Sequence, residues 1–149
     1  MKHTFRILPL LLATLATGCG PVGQQFHGTY NLSGTTTLTL TGYGSATEEI
    51  TGTRRIMEGA ISDIVLSDST GQCLLPADVE GDVASFRPGS SCTLSLNGVT
   101  VTRTISNGTA SLSGKVVQVR LSGNMTAIYE GRTVSGSFSE NGTLTRIAK

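Results

Sequence analysis

The sequence predicts an all-β domain, an antiparallel up-and-down meander that forms a small barrel or a two-sheet sandwich. Ser and Thr together number 38 of the 149 residues, Gly adds 19, and charged residues are only 14%. Chains this rich in Thr and Gly and this poor in charge are typical of extracellular β-structures. Asn-Gly pairs, which favour tight turns, recur in the second half of the chain. No long stretch carries the apolar period of a helix.

The first eighteen residues have the layout of a secretory signal peptide. Basic side chains at Lys2 and Arg6 precede an apolar stretch over residues 7–15, which Pro9 interrupts. A helix needs about 20 apolar residues to cross a bilayer, so this stretch is too short for a transmembrane span. We therefore expect residues 1–18 to be removed on export.

The end of this segment, Ala16-Thr17-Gly18-Cys19, resembles the lipobox of bacterial lipoproteins. The resemblance covers residues 1–19, and Ala16 stands where the motif most often has Leu. It implies that Cys19 is lipidated on sulfur, that the chain is cut before it, and that the new amine is acylated. Because Gly20 and not Asp follows, it also implies a lipid anchor in the outer membrane of a Gram-negative cell envelope. The alternative is an ordinary signal peptide in which Cys19 is incidental.

The mature chain then consists of a lipidated cysteine with a short tether, residues 19–25, and a single β-domain, residues 26–149. Loss of Lys2 and Arg6 with the signal peptide leaves 9 basic against 10 acidic side chains. A nucleic-acid binder carries a basic surplus, so we expect no nucleic-acid partner. The expected partners are the membrane, through the lipid on Cys19, and a protein or glycan that the sequence does not identify.

Cys73 and Cys92 remain once Cys19 is assigned to lipid. An even pair in an exported chain predicts a disulfide, which stabilises a domain by roughly 3 kcal/mol in the chain-entropy model. Two free thiols or a metal pair are the alternatives. A zinc set is disfavoured because His27 is the single histidine of the mature chain. The spacing is not Cys-x-x-Cys, so we expect a structural and not a catalytic bond.

The strands of the second half can be aligned from their turns. A turn at residues 97–98 places Leu94 opposite Val101 on one apolar face, and a turn at 114–115 does the same for Leu112 and Val117. Further turns are predicted at residues 107–108, 123–124, 130–132 and 140–142. The opposite face is mainly Thr and Ser, the alternation of a sheet with one wet face. Arg103 is the exception, because this register points it inward.

The first half of the domain is less regular. Apolar residues at even positions predict one long strand, or two strands bent at Gly34: Phe26, Tyr30, Leu32, Leu38 and Leu40. Residues 47–56 and 61–67 are two further candidate strands. Pro and Gly between residues 71 and 91 predict that pairing is broken there, apart from a short strand over residues 83–86. The total is about ten strands.

No catalytic motif stands out in the sequence. A Gly-x-Ser-x-Gly elbow is absent, and His27 lies close to the tether, where we expect a surface position. Asp78, Glu80 and Asp82 alternate in a way that could meet a calcium ion, but the EF-hand pattern is absent and a solvated acidic loop is the favoured interpretation. We therefore expect no catalytic residue, no metal site and no cofactor.

Three functions from different classes follow. The favoured one is a lipid-anchored, non-catalytic β-module of the cell envelope that acts through surface contacts. Residues 26–32 are similar to the Gly-x-Trp opening of lipocalin-type barrels, with Tyr30 in place of the Trp. This resemblance implies the alternative, a carrier of a small apolar ligand, in which Arg103 could meet the acid group of the ligand. An enzyme or an enzyme inhibitor is the third possibility, with an inhibitory loop between Cys73 and Cys92.

Overall fold

The computed structural model describes residues 20–96 and 99–149. The signal segment, Cys19 and the turn at residues 97–98 lie outside the described residues. A short 3-10 helix, Gln24–Phe26, precedes nine strands: β1 (Gly28–Leu40), β2 (Gly44–Glu58), β3 (Ile64–Asp68), β4 (Leu74–Glu80), β5 (Val83–Phe86), β6 (Ser91–Leu96), β7 (Val99–Ser113), β8 (Val116–Tyr129) and β9 (Arg132–Ala148).

The strands form one antiparallel sheet whose hydrogen bonds run in a ring. The order is β5-β4-β3-β2-β1-β9-β8-β7-β6, and β5 also pairs with the second half of β7. This last pairing closes the ring, while β6 lies along the first half of β7. The predicted all-β meander is confirmed, and it forms one sheet and not two.

The strands on one side of the ring are much shorter than those on the other side. Strands β3, β4 and β5 have 5, 7 and 4 residues, whereas β1, β2, β7, β8 and β9 have 13 to 17. The long strands therefore extend well beyond the short ones at the same end of the molecule, and the two ends of the ring differ.

One end is closed by the segment that leads into β1. Phe26 and Tyr30 are fully buried. Gly23 has φ 82°, and a Cβ there would lie 2.6 Å from Cγ2 of Ile64, so this segment packs directly on β3. We call this the closed end. It comprises residues 20–27, the β2–β3 connection (59–63), the turns at 81–82 and 114–115, and the last residues of β9.

Several predicted pairings are confirmed. Leu94 lies opposite Val101, and the turn at residues 114–115 places Leu112 opposite Val117. The short strand over residues 83–86 is β5, and the even-numbered apolar residues from 30 to 40 lie on one strand, β1, whereas Phe26 belongs to the 3-10 helix before it. In each case the alternation of apolar and polar residues fixes the register, because a slip by one residue would expose the whole apolar face.

Three predicted turns are wrong, because residues 107–108, 123–124 and 140–142 lie inside β7, β8 and β9. The glycines are there because a neighbouring group leaves no room for a Cβ. At Gly123 a Cβ would collide with the carbonyl oxygen of Thr104, and at Gly142 it would lie 2.7 Å from Cδ1 of Leu32. Glycine inside a strand often marks such a close approach.

The turn between β8 and β9 is one residue shorter than predicted. Glu130 and Gly131 have φ 48° and 74°, so both residues of this two-residue turn adopt positive φ. Such turns match the twist of the flanking strands. The shorter turn places Val134 opposite Ala127, whereas a three-residue turn would place it opposite Ile128. Ile128 is on the outer face, 52% exposed, because β8 runs unbroken through residues 123–124 and keeps Ala127 on the inner face.

Strand β4 is absent from the sequence prediction because Pro76 lies inside it. Pro76 has no N–H, but it lies one residue before Ala77, whose pairing with Phe86 is the last of the β4–β5 ladder. There the N–H of Arg87 still donates to the carbonyl of Pro76 at 3.0 Å, and the carbonyl of Arg87 accepts from Oγ of Ser90 at 2.7 Å. The prediction that pairing is broken between residues 71 and 91 is therefore wrong.

Candidate functional site

A cavity of about 310 Å³ lies at the end of the ring that is far from the closed end. It is bordered by the β3–β4 connection, which leaves β3 at Asp68, whereas Ile64 at the other end of β3 packs on the closed end. Its apolar wall consists of Leu66, Leu75, Leu94, Ile105 and Leu121, and its polar wall includes Arg54, Asp68, Arg103 and Glu140. Pockets for small molecules occupy about 300–1,000 Å³, so this cavity suits a small ligand.

An ion pair lies on the wall of this cavity. Nη2 of Arg103 in β7 donates to Oε2 of Glu140 in β9 at 2.9 Å, across the intervening strand β8. The guanidinium carbon also lies 3.9 Å from the ring centroid of Phe138, a cation–π contact. Glu140 is only 8% exposed. The inward position predicted for Arg103 is confirmed, and the residue both pairs with an acid and lines a cavity.

The guanidinium of Arg103 has one buried nitrogen without a hydrogen-bond partner. This nitrogen is Nε, and it makes no hydrogen bond to any described residue. A buried donor without a partner costs about 1–3 kcal/mol. Because Arg103 also lines the cavity, its guanidinium is a cation that an acidic group in the cavity would meet. The arrangement is suited to binding an acidic or polar group at the edge of an apolar cavity.

Asp68 holds the rim of the cavity in place. Its Oδ1 accepts hydrogen bonds from the backbone N–H of Gln72 at 3.1 Å and of Cys73 at 3.2 Å, and Oδ2 accepts from the Thr70 hydroxyl at 2.7 Å. Partial burial alone would raise the pKa of Asp68, but these hydrogen bonds hold that pKa below its ordinary value. The charged carboxylate thus fixes the β3–β4 connection that carries Cys73.

The predicted disulfide between Cys73 and Cys92 is present, with the two Cα atoms 5.0 Å apart. It joins the residue before β4 to β6, and these two strands share no ladder in the described part of the sheet. Both cysteines line the cavity. Because the described ladder of β6 runs to β7, the disulfide is the second attachment of β6 and holds this strand beside the cavity.

The other residues considered from the sequence lie elsewhere. His27, predicted to be a surface residue, is half-buried at the closed end, and its Nε2 is buried without a hydrogen bond to any described residue. Asp78 and Glu80 belong to β4 and not to a loop. Asp78 accepts two hydrogen bonds from Arg87, at 2.6 and 2.8 Å, and these bonds lower the pKa of Asp78. Within residues 20–96 and 99–149, no three metal-ligating side chains come together.

Sequence reasoning missed Glu140, which completes the ion pair of the site. Its number has the same parity as Phe138 and Leu144, so an acid stands on the apolar face of β9. That signal was available, but the turn predicted at residues 140–142 removed Glu140 from the strand. An inward Arg on one strand and an inward Glu on another are together the pattern that points to this site.

Comparisons with protein-family models, curated proteins and solved structures found no match to this chain. Among the described residues, no helix has the length and apolarity needed to span a bilayer.

Proposed function

We propose that the chain is a lipid-anchored protein of the cell envelope, held in the outer membrane by lipid on Cys19. Its β-domain is a non-catalytic carrier of a small, mainly apolar ligand with an acidic group. The cavity is the observation that carries this proposal, since it combines an apolar wall with the unused Nε of Arg103. The acidic group would accept hydrogen bonds from Arg103, and the apolar body would contact the leucines of the wall.

The composition of the cavity wall supports binding over catalysis. The residues that line it include no histidine, and its two cysteines are joined in the disulfide. A nucleophilic mechanism needs a nucleophile next to a base, and the Thr70 hydroxyl does lie against the Asp68 carboxylate on this wall. The hydrogen bonds that lower the pKa of Asp68 make its carboxylate a weak base, which favours binding over catalysis. Arg54 is the second cation there. Its Nη1 donates to the carbonyl of Thr53 at 3.1 Å, which leaves the other guanidinium donors for a ligand.

Native mass spectrometry of the protein purified from the envelope of its own source tests the proposal directly. We expect a reproducible extra mass that is lost on denaturation, because an apolar ligand in such a cavity co-purifies. A bare mass, with the Cys73–Cys92 bond intact, would contradict the carrier function.

A pair of dyes tests the role assigned to the guanidinium. Anilinonaphthalene sulfonate and phenylnaphthylamine share their aromatic rings, but only the first carries an acid group. We expect the sulfonate to bind about tenfold more tightly, the factor that one charge-assisted hydrogen bond supplies. Replacing the ion pair as a unit, Arg103→Met with Glu140→Leu, leaves no unpaired charge and should remove the preference for the sulfonate.

The matched control is Arg120→Gln, which removes an exposed arginine that does not line this cavity. The control should keep the full preference for the sulfonate. If both variants lose it equally, the preference reflects net charge and not the cavity. Phenylnaphthylamine binding that persists in the double variant shows that the cavity itself is still formed.

A module that acts through surface contacts is the second candidate, and one observation favours it. Residues 44–53 of β2 pair with β1 on one side and, in the described part of the chain, with no strand on the other. Such an edge accepts an extended segment of a partner protein. Glu48 and Glu49 lie on this edge, and charged side chains there oppose unselective pairing. The bare mass described above would favour this candidate.

A further inference from the structure

The closed end carries a group of exposed apolar side chains that come from four separate segments. Val22 lies before the 3-10 helix, Ile61 in the β2–β3 connection, Val83 at the start of β5 and Ile147 near the end of β9. Their exposed fractions are 58%, 79%, 42% and 56%. Single exposed apolar residues are ordinary on protein surfaces, but four at one end of a small ring are together a candidate for contact.

The chain outside the described residues leaves from this same end. Residues 1–19 precede Gly20, and they contain the apolar stretch and the Cys19 to which the lipid is assigned. Gly23 is already buried against Ile64. Three residues lie between Cys19 and Gly23, which makes four Cα-to-Cα steps, and an extended chain spans at most about 3.5 Å per step. A lipid on Cys19 therefore holds the closed end within about 14 Å of the membrane surface.

The short connection is also fastened to the ring. Nε2 of Gln25 donates to the carbonyl of Gly81 at 2.8 Å, and Nη2 of Arg146 donates to the carbonyl of Gln25. The segment after Gly23 therefore does not act as a free tether. An anchored domain has little freedom to turn another face to the lipid.

We infer that the closed end is a membrane-docking surface, in which Val22, Ile61, Val83 and Ile147 enter the interface of a lipid bilayer. The inference rests on the lipid anchor of the proposed function, but not on the ligand. The charged side chains of this end give no basic surplus, so the contact is apolar; they are Glu58, Asp63, Glu80 and Asp82 against Lys115, Arg146 and Lys149. Docking in this orientation directs the cavity end away from the membrane that carries the anchor.

The absence of Trp from the sequence allows a direct test. Ile61→Trp and Ile147→Trp place a probe at the closed end. Tyr43→Trp and Ile128→Trp are matched controls, because Tyr43 is 76% and Ile128 52% exposed. Tyr43 lies beyond the far end of β1, a strand of 13 residues that spans about 40 Å. The full chain, purified from membranes, is reconstituted in phosphatidylcholine vesicles with and without brominated acyl chains.

We expect brominated lipid to quench Trp emission at positions 61 and 147, with a shift of that emission to shorter wavelength, and to leave positions 43 and 128 unchanged. Adding Ile61→Asp to the Ile147→Trp variant should reduce the quenching, because a carboxylate resists entry into the interface. Equal quenching at all four positions, or quenching at 43 and 128 alone, overturns the inference. So does an absence of quenching at 61 and 147 in protein that floats with the vesicles.

Failure of this inference can be told apart from failure of the proposed function. Protein that does not float with the vesicles contradicts the lipid anchor, and the docking surface with it. The dye preference is measured on the same preparation as the difference from the Arg103→Met, Glu140→Leu variant in identical vesicles, because both dyes also partition into lipid and the difference removes that contribution. Vesicle-bound protein that keeps the dye preference but shows no quenching overturns only the docking surface.

Discussion

Two arginines lie over aromatic rings, one at each end of the ring of strands, and their hydrogen bonds differ. At the closed end the guanidinium of Arg146 lies 5.2 Å from the ring centroid of Tyr30. Nε and Nη2 of Arg146 donate to the Tyr30 hydroxyl at 3.0 and 2.6 Å, and Nη2 also donates to Gln25. At the cavity end Arg103 pairs with Glu140 and leaves its Nε without a partner.

The hydroxyl of Tyr30 shows how the polar groups around Arg146 are satisfied at the closed end. Burial raises the pKa of Tyr30 above its ordinary value, although the hydrogen bonds and charge of Arg146 act in the other direction. The neutral hydroxyl therefore donates to the carbonyl of Phe26 at 2.5 Å while it accepts from Arg146. The Tyr30 hydroxyl thus links the Phe26 carbonyl to the Arg146 guanidinium, and these hydrogen bonds stabilise the closed end.

The difference between the ends indicates which polar group is available for function. Arg146 donates through Nε and Nη2 to groups of the filled closed end, so it stabilises that end. Arg103 lines a cavity and, among the described residues, donates to Glu140 alone, so its guanidinium is available to a ligand. Four experiments with substituted proteins test the difference between the two ends, and they are given from the largest expected effect to the smallest.

Truncation at the filled end should cost the most. Phe26→Ala is expected to lower the free energy of unfolding by about 3–5 kcal/mol, because it opens a cavity in fully packed surroundings. Leu94→Ala at the cavity end should cost less, since Leu94 already faces empty space. Urea denaturation of both variants measures the difference. Equal losses would mean that the two ends are equally packed.

Removal of the disulfide should follow. Cys73→Ser with Cys92→Ser is expected to lower the free energy of unfolding by roughly 3 kcal/mol, from the entropy of the opened chain. The loss should be accompanied by weaker dye binding, because β6 is then held by β7. The same dye titration on Phe26→Ala, where it remains folded, is the control. Undiminished dye binding in the cysteine variant would show that the disulfide does not shape the cavity.

Breaking the ion pair from one side should cost more than removing both partners. Glu140→Leu leaves the Arg103 guanidinium without its carboxylate, and we expect a loss of about 2–3 kcal/mol. Adding Arg103→Met should restore most of this stability, because the remaining side chains are apolar and of similar volume. A double-mutant cycle from urea denaturation gives the coupling. Additive losses would show that the two charges do not depend on each other.

The smallest effect is expected at the rim. Asp68→Asn should lower the free energy of unfolding at neutral pH by about 1 kcal/mol, the usual value of a carboxylate that caps backbone N–H groups. The folded pKa of Asp68 lies below its ordinary value, so its contribution is complete above the unfolded pKa and is lost as the pH falls through the folded pKa. The stabilities of the wild type and the variant should therefore converge in acid. A constant difference would contradict this assignment.

The fold was predictable to the extent that its signals are local. Leu94 opposite Val101 and Leu112 opposite Val117 follow from alternation around a tight turn, and β5 follows from a short apolar run between turn residues. The glycines misled the prediction. Gly123 and Gly142 are also typical turn residues, and nothing next to them in the sequence shows that Thr104 and Leu32 lie too close for a side chain.

Only the arginine of the candidate site was predictable from the sequence, and its partner was not. The register of β7 placed Arg103 inward, but its partner lies 37 residues away on a strand that is not adjacent in the sheet. Strand β4, which supplies part of the cavity wall, was hidden by Pro76. Its place in the ladder becomes clear only when the partner of each backbone group is known.

The sequence by itself determined the all-β class, the Cys73–Cys92 disulfide and the registers next to true turns, because alternation and turn chemistry are properties of neighbouring residues. The tertiary structure decided the rest. Closure of the ring through β5 and β7, the pairing of Arg103 with Glu140 and the cavity between them depend on groups far apart in the chain. The neighbouring strand likewise decides whether a glycine forms a turn or lies inside a strand where a Cβ would clash.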